Sequence, residues 1–232
     1  MIEVRPFASL GHAQHGWLDA THHFSFADYH DPARMGWGRL RVWNDDVIAP
    51  QNGFPPHPHR DMEIITFVRT GVISHQDSLG NKGRTAAGNV QVMSAGTGIR
   101  HSEYNLETTP TTLFQIWILP DAPGGESGWG QREFPRADRF GRWTVLASNR
   151  PEADQALPIR ADANVLAASI PAGSRISLSP DPARHQYLVA ASGRILVNSI
   201  SATARDGVAI TGEATLVVEA AEDAEVVLVD TA

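Results

Sequence analysis

Turn-forming residues punctuate this chain so closely that helices of ordinary length have no room between its apolar segments. The segments at 39–43, 62–69, 72–77, 89–94 and 113–119 are short and rich in β-branched or aromatic residues, and Gly, Pro, Asn or Asp bound them. That combination predicts strands. Ser78, Leu79, Gly80, Asn81, Lys82 and Gly83 read as a hairpin loop. From about 120 to 142 the composition shifts to Gly, Pro and mixed charge, which predicts a connection rather than sheet. A second β-rich block opens at Trp143, with strand segments at 164–170, 174–178, 186–189, 194–200, 214–218 and 225–230. No close repeat relates the two blocks. The expectation is an all-β chain of two units, 1–135 and 136–232, each managing its strand edges by closure into a barrel or sandwich. At 232 residues the chain is long enough to bury a core in such units.

Composition removes several classes of function. The formal net charge is −7. A phosphate backbone needs clustered Lys and Arg, and an anionic membrane surface needs the same. Neither nucleic acid nor membrane is therefore an expected partner. With no cysteine there is no disulfide, no cysteine-held cluster and no thiol nucleophile. The opening residues lack the apolar core of a signal peptide, and no apolar run reaches the roughly 18 residues of a membrane span. The cytoplasm is the expected compartment.

Chemistry concentrates in two segments. The first is Gly53-Phe54-Pro55-Pro56-His57-Pro58-His59-Arg60-Asp61-Met62-Glu63, and the second is Gly96-Thr97-Gly98-Ile99-Arg100-His101-Ser102-Glu103. In strands, side chains alternate between faces. His57 and His59 would then share one face, and His101 and Glu103 another. Two such strands laid together supply three imidazoles and a carboxylate, a set that suits one divalent transition metal with positions left open for substrate. Pro55, Pro56 and Pro58 stiffen the first segment, so its ligands need little ordering on binding. Glu63 has the same parity as His57 and His59, so spacing alone leaves the carboxylate as either Glu63 or Glu103. Imidazole suits iron, nickel, copper, cobalt, manganese or zinc alike.

Other polar residues read as structural. His12, His15, His22, His23 and His30 are irregularly spaced, with Asp19, Asp28 and Asp31 between them. His22-His23-Phe24-Ser25-Phe26 is expected to pack its two aromatics beneath the first barrel. His75 is expected to be structural, and His185 has no partner two residues away. Asp45-Asp46 and Glu222-Asp223 read as solvated turns. No nucleophile elbow, phosphate loop or dinucleotide fingerprint is present.

These two segments resemble the two conserved motifs of the cupin superfamily. More narrowly, the chain resembles the pirin family. That likeness is carried by His22-His23-Phe24-Ser25-Phe26-Ala27-Asp28-Tyr29, by Gly53-Phe54 with His57-Pro58-His59, by Glu63, and by Met93 through Glu103. The resemblance implies two jelly-roll-like cupin barrels packed face to face in one chain, with a metal only in the N-terminal barrel. It implies His57, His59, His101 and Glu103 as ligands, with Glu63 behind them. It implies iron(II) first among the metals named above. It also implies a flavonol 2,4-dioxygenase, a quercetinase, which cleaves its substrate with O2 and releases carbon monoxide. A 3-hydroxy-4-keto flavonol is a bidentate chelator, and chelation lowers the pKa of its hydroxyl; Glu103, on loosening from the metal, would accept that proton. Two other expectations stand beside this one: a non-catalytic regulatory protein with a protein partner, and a cupin acting on another small enol or diketone. A monomer is expected, because the two barrels can cover each other's faces.

Overall fold

The structure is a computed structural model that describes residues 1–151, 153 and 155–232. The chain makes two barrels, each a seven-stranded sheet laid over a four-stranded one. In the first barrel the large sheet runs Gly128–Arg132, Val90–Ser94, Glu63–Thr70, Thr111–Ile118, Leu40–Ile48, Leu18–His22, Gly11–Gln14. Its small sheet runs Asn52–His59, Ile99–Asn105, Val72–Asp77, Lys82–Ala86. The second barrel repeats the plan, with His185–Ser192, Ala224–Thr231 and Ala163–Ile170 central in its large sheet.

The two large sheets pack face to face, and alternation explains why. Trp43, Ile65, Phe67, Phe114 and Ile116 point out of the first barrel and merge with Val165, Tyr187, Val189, Val227 and Val229 in one core cluster. The intervening residues point into the barrels. In the second barrel most of them are apolar, including Leu166, Ile170, Leu188, Ile195, Val218 and Leu228, and fill the interior, while Asn164, Gln186 and Asp230 share that parity and form a hydrogen-bonded polar row with Arg184. In the first barrel the interior holds two smaller apolar clusters, one around Val68, Ile73 and Leu113 and one around Ile64, Met93 and Ile99. Between them the strand register aligns a polar row across the sheet: Gln91, Thr66, Gln115, Asn44, His22. This row marks the level of the candidate site.

Strands such as Glu63–Thr70 and Ala224–Thr231, buried on both faces, form where their apolar runs predict them. Several others are not predicted. Gly128–Arg132 lies within the expected connection and pairs with Val90–Ser94. Lys82–Ala86 takes over the end of the expected hairpin loop. The opening strand, Ile2–Arg5, pairs with Gly207–Thr211 in the sheet of the second barrel. The two aromatics expected beneath the first barrel part company. Phe24 lies in the core between barrels, 4.9 Å from the Tyr187 ring, while Phe26 meets Trp117 edge-on at 5.3 Å.

The expected solvated turn at Asp45-Asp46 is also overturned. Both residues sit inside the strand Leu40–Ile48 and are buried. Alternation sends them to opposite faces. Asp45 reaches Arg69 on its own barrel and Arg205 on the other, and Asp46 faces the first barrel's interior. Glu222 and Asp223 are exposed in a bend, as expected.

His23 gives the barrel interface a pH dependence. It is fully buried, with Nδ1 2.9 Å from the Tyr187 hydroxyl in a hydrogen bond. Burial foremost, and then the nearby Arg34, Arg5 and Arg205, push its pKa from 6.5 down to about 3. The imidazole is neutral in the fold, whereas the unfolded chain takes up a proton below 6.5. Its contribution is therefore complete above about pH 6.5 and is lost as pH falls from there toward 3, at about 1.4 kcal/mol per unit. Urea midpoints measured from pH 7 to 4 should fall, and a His23→Gln variant should fall less steeply.

Candidate metal centre

His57 and His59 lie on the edge strand Asn52–His59, and His101 and Glu103 lie on its neighbour Ile99–Asn105. The register places His101 directly opposite His57 and Ile99 opposite His59. Three imidazoles therefore converge on one face, with ring centres 4.8 Å apart for His57 and His59, 4.5 Å for His57 and His101, and 5.0 Å for His59 and His101. A bulge between His101 and Glu103 brings Glu103 opposite Phe54. All four residues line one cavity of about 330 Å³.

The hydrogen bonds prepare nitrogen lone pairs. Nδ1 of His57 donates to the Pro55 carbonyl at 2.7 Å, which leaves Nε2 bare. On the other side, Nε2 of His75 donates to Asp77 at 3.1 Å. His75 Nδ1 is then an acceptor for His101 Nδ1, 3.5 Å away, and the buried Nε2 of His101 is left with no protein partner. Burial would raise the Asp77 pKa, but donors from Asn81, His75 and Leu79 outweigh it and hold the carboxyl ionised. Burial first, then the neighbouring His57 and His75, push the His101 pKa down to about 3. Burial, His101 and His57 push His59 to about 4. Neutral imidazoles with free lone pairs are the form a cation requires.

Glu103 is pinned from the polar row. Gln91 and Thr66 donate to Oε1, and Gln115 donates to Oε2 at 2.6 Å. The metal-capable atoms fall into two overlapping groups within 4.8 Å, His57 with His59 and His101, and His75 with His101 and Glu103. His101 is common to both. His75 was expected to be only structural; it stacks on Trp129 at 4.7 Å and backs the site. No sequence signal marks it, because its role comes from the pairing of Val72–Asp77 with Ile99–Asn105. Glu63 does not stand behind the ligands. It accepts from Ser94 at 2.6 Å, on the other sheet. Among the described residues no metal-capable group includes His185.

Above the imidazoles the cavity wall is largely apolar, with Leu18, Phe26, Phe54, Pro56 and Trp117. Trp117 meets His59 edge-on at 4.9 Å. The centre can hold a divalent cation beside a space for an aromatic molecule. No helix of the described residues is long and apolar enough to cross a membrane.

The family model described as Pirin matches residues 3–118, and that described as the quercetinase C-terminal cupin domain matches 145–231. A pirin-like protein of Caulobacter vibrioides is 58% identical over the full length of both chains. A protein of Escherichia coli named quercetin 2,3-dioxygenase is 42% identical over 99% of this chain and 98% of its own. The bacterial pirin YhhW of Escherichia coli, solved in complex with nickel(II), superposes with a TM-score of 0.94 at 40% identity, covering 100% of this chain and 99% of that one.

Proposed function

The chain belongs to the pirin family, and from that premise we infer that it is a metal-dependent dioxygenase that opens the heterocyclic ring of flavonols such as quercetin, with O2 consumed and CO released. We assign His57, His59, His101 and Glu103 as the ligands of one divalent transition ion, iron(II) first. The observation that carries this reading is the unpartnered, buried Nε2 of His101, facing two further imidazoles across an aromatic-walled cavity. The residues present fit a cation: the imidazole lone pairs are free and a carboxylate lies beside them.

When bound, the cation supplies Lewis acidity that favours the flavonolate form of a chelated 3-hydroxyl. The chain's own residues do the rest. Trp117, Phe26 and Phe54 hold the flat rings and exclude water. Glu103 accepts the hydroxyl proton once its carboxylate loosens from the cation, and Gln91 and Gln115 keep that carboxylate in place beside the substrate. The first barrel carries the chemistry, and the second, packed solid with aliphatic side chains, buttresses it. The test is oxygen-dependent loss of quercetin's flavonol absorbance by protein loaded anaerobically with Fe(II), with CO measured in parallel. Stoichiometric metal without bleaching, and with turnover of a diketone instead, would move the activity to another enol.

The hydrogen-bonded chain from Asp77 through His75 to His101 also carries a prediction. Partners that fix the tautomer of a ligand histidine are worth roughly 10–100-fold in metal affinity. Asp77→Asn should therefore lower Fe(II) or Zn(II) affinity by about that factor in a competition titration with a chromophoric chelator.

A further inference from the structure

One buried acid of the first barrel is left unused by this mechanism. Asp46 lies in the strand Leu40–Ile48, paired with Ala20 on one side and Leu113 on the other. It is 2% exposed and lines the same cavity as the four proposed ligands. Its Oδ1 has no hydrogen-bond partner. The other buried carboxyls of this barrel are served: Asp45 by Arg69 and Arg205, Glu103 by Gln91, Thr66 and Gln115, Glu63 by Ser94, and Asp77 by His75 and Asn81. A buried polar atom without a partner is destabilising, and its persistence calls for an explanation. Burial foremost, and then the carboxyls of Asp45 and Glu103, raise the Asp46 pKa well above the usual carboxyl range. A neutral carboxyl offers one O–H donor and one acceptor, which complements an uncharged hydroxyl and gives no advantage to a cation.

We propose that Asp46 is a specificity-determining residue of the cavity, whose carboxyl takes an uncharged phenolic hydroxyl on a part of the substrate that the metal does not chelate. This rests on the reading of the cavity as a flavonol site, and it separates polyhydroxylated flavonols from those bearing only the chelating pair. Its cross-strand partner Ala20 also lines the cavity, as does Leu18, so an aromatic molecule lying there meets the carboxyl beside an apolar wall. Asn44 and His22, joined to each other at 2.8 Å, form the adjacent polar edge.

The experiment titrates Zn(II)-loaded protein anaerobically with quercetin and with 3-hydroxyflavone, which shares the chelating oxygens but lacks the other hydroxyls. Wild type, Asp46→Leu and Asp46→Asn are compared, and each is also melted. The preference for quercetin over 3-hydroxyflavone should fall at least tenfold in Asp46→Leu and be largely kept in Asp46→Asn, which retains a donor and an acceptor. The Tm of Asp46→Leu should equal or exceed that of wild type, because an unsatisfied acid has been replaced by an aliphatic side chain among aliphatic neighbours. An unchanged preference in Asp46→Leu, or a lowered Tm with both ligands weakened alike, overturns the proposal while leaving the flavonol reading intact. A wild type that binds neither compound overturns both.

Discussion

His101→Ala is expected to leave a folded protein with no measurable quercetin turnover. His101 joins both metal-capable groups and is the endpoint of the hydrogen-bonded chain from Asp77. Removing it takes a proposed ligand from the centre and leaves His75 bonded only to Asp77. Taking a four-ligand site at roughly 10–16 kcal/mol in all, one ligand carries about 3 kcal/mol, roughly a hundredfold in metal affinity. The loss of geometry at the remaining ligands adds to this in the rate. The readouts are metal content after dialysis and the rate of absorbance loss under oxygen. Full metal occupancy with turnover near wild type would place the chemistry elsewhere. The variant should unfold as wild type does, since the site lies on the wall of an open cavity and the core between barrels is untouched.

Asp45→Ala is expected to cost about 3–5 kcal/mol of stability, the usual penalty for stripping one partner from a buried ion pair. Asp45 binds Arg69 from its own barrel and Arg205 from the other, the second at 2.5 Å. Arg69 lies over the Phe114 ring at 4.8 Å in the core between barrels. Without the carboxylate, that guanidinium is left buried and uncompensated. Arg205→Ala should cost less, because that side chain is partly exposed. Urea unfolding reads the difference. A single transition moved to lower urea with unchanged slope fits a weakened but intact pair of barrels, whereas a split transition means that the barrels have come apart. No loss of stability would mean that the ion cluster is not holding the interface.

Much of the fold was legible because strands such as Glu63–Thr70 and Ala224–Thr231 are buried on both faces and read as near-continuous apolar runs. Gly128–Arg132 was not, since its glycines and lone tryptophan carry a loop's composition, and its pairing and its stacking on His75 come from distant chain. The convergence of three histidines was legible from spacing alone. Which glutamate lies on the strand beside them was not, and the reason is local. Parity carries from His57 to Glu63 only if the chain stays extended, but Asp61 adopts a φ of 50°, and the strand beyond it belongs to the other sheet. Asp45 and Asp46 mislead in the reverse sense: an acidic pair reads as one solvated unit, whereas alternation within the strand gives each residue a different buried role. His75 and Phe26 needed the register itself.

The pairing of Ile2–Arg5 with Gly207–Thr211 sets an order on synthesis at the ribosome. The N-terminal amine hydrogen-bonds the Thr211 carbonyl, 210 residues downstream. At roughly 5–20 residues per second, those first residues wait ten seconds or more for their partner strand. All the residues lining the cavity have been made long before then. The cavity can therefore close on a nascent chain while the leading strand and the greasy outer sheet of the first barrel stay uncovered. That interval is when a holdase would have something to grip, and it ends only when the last sheet arrives.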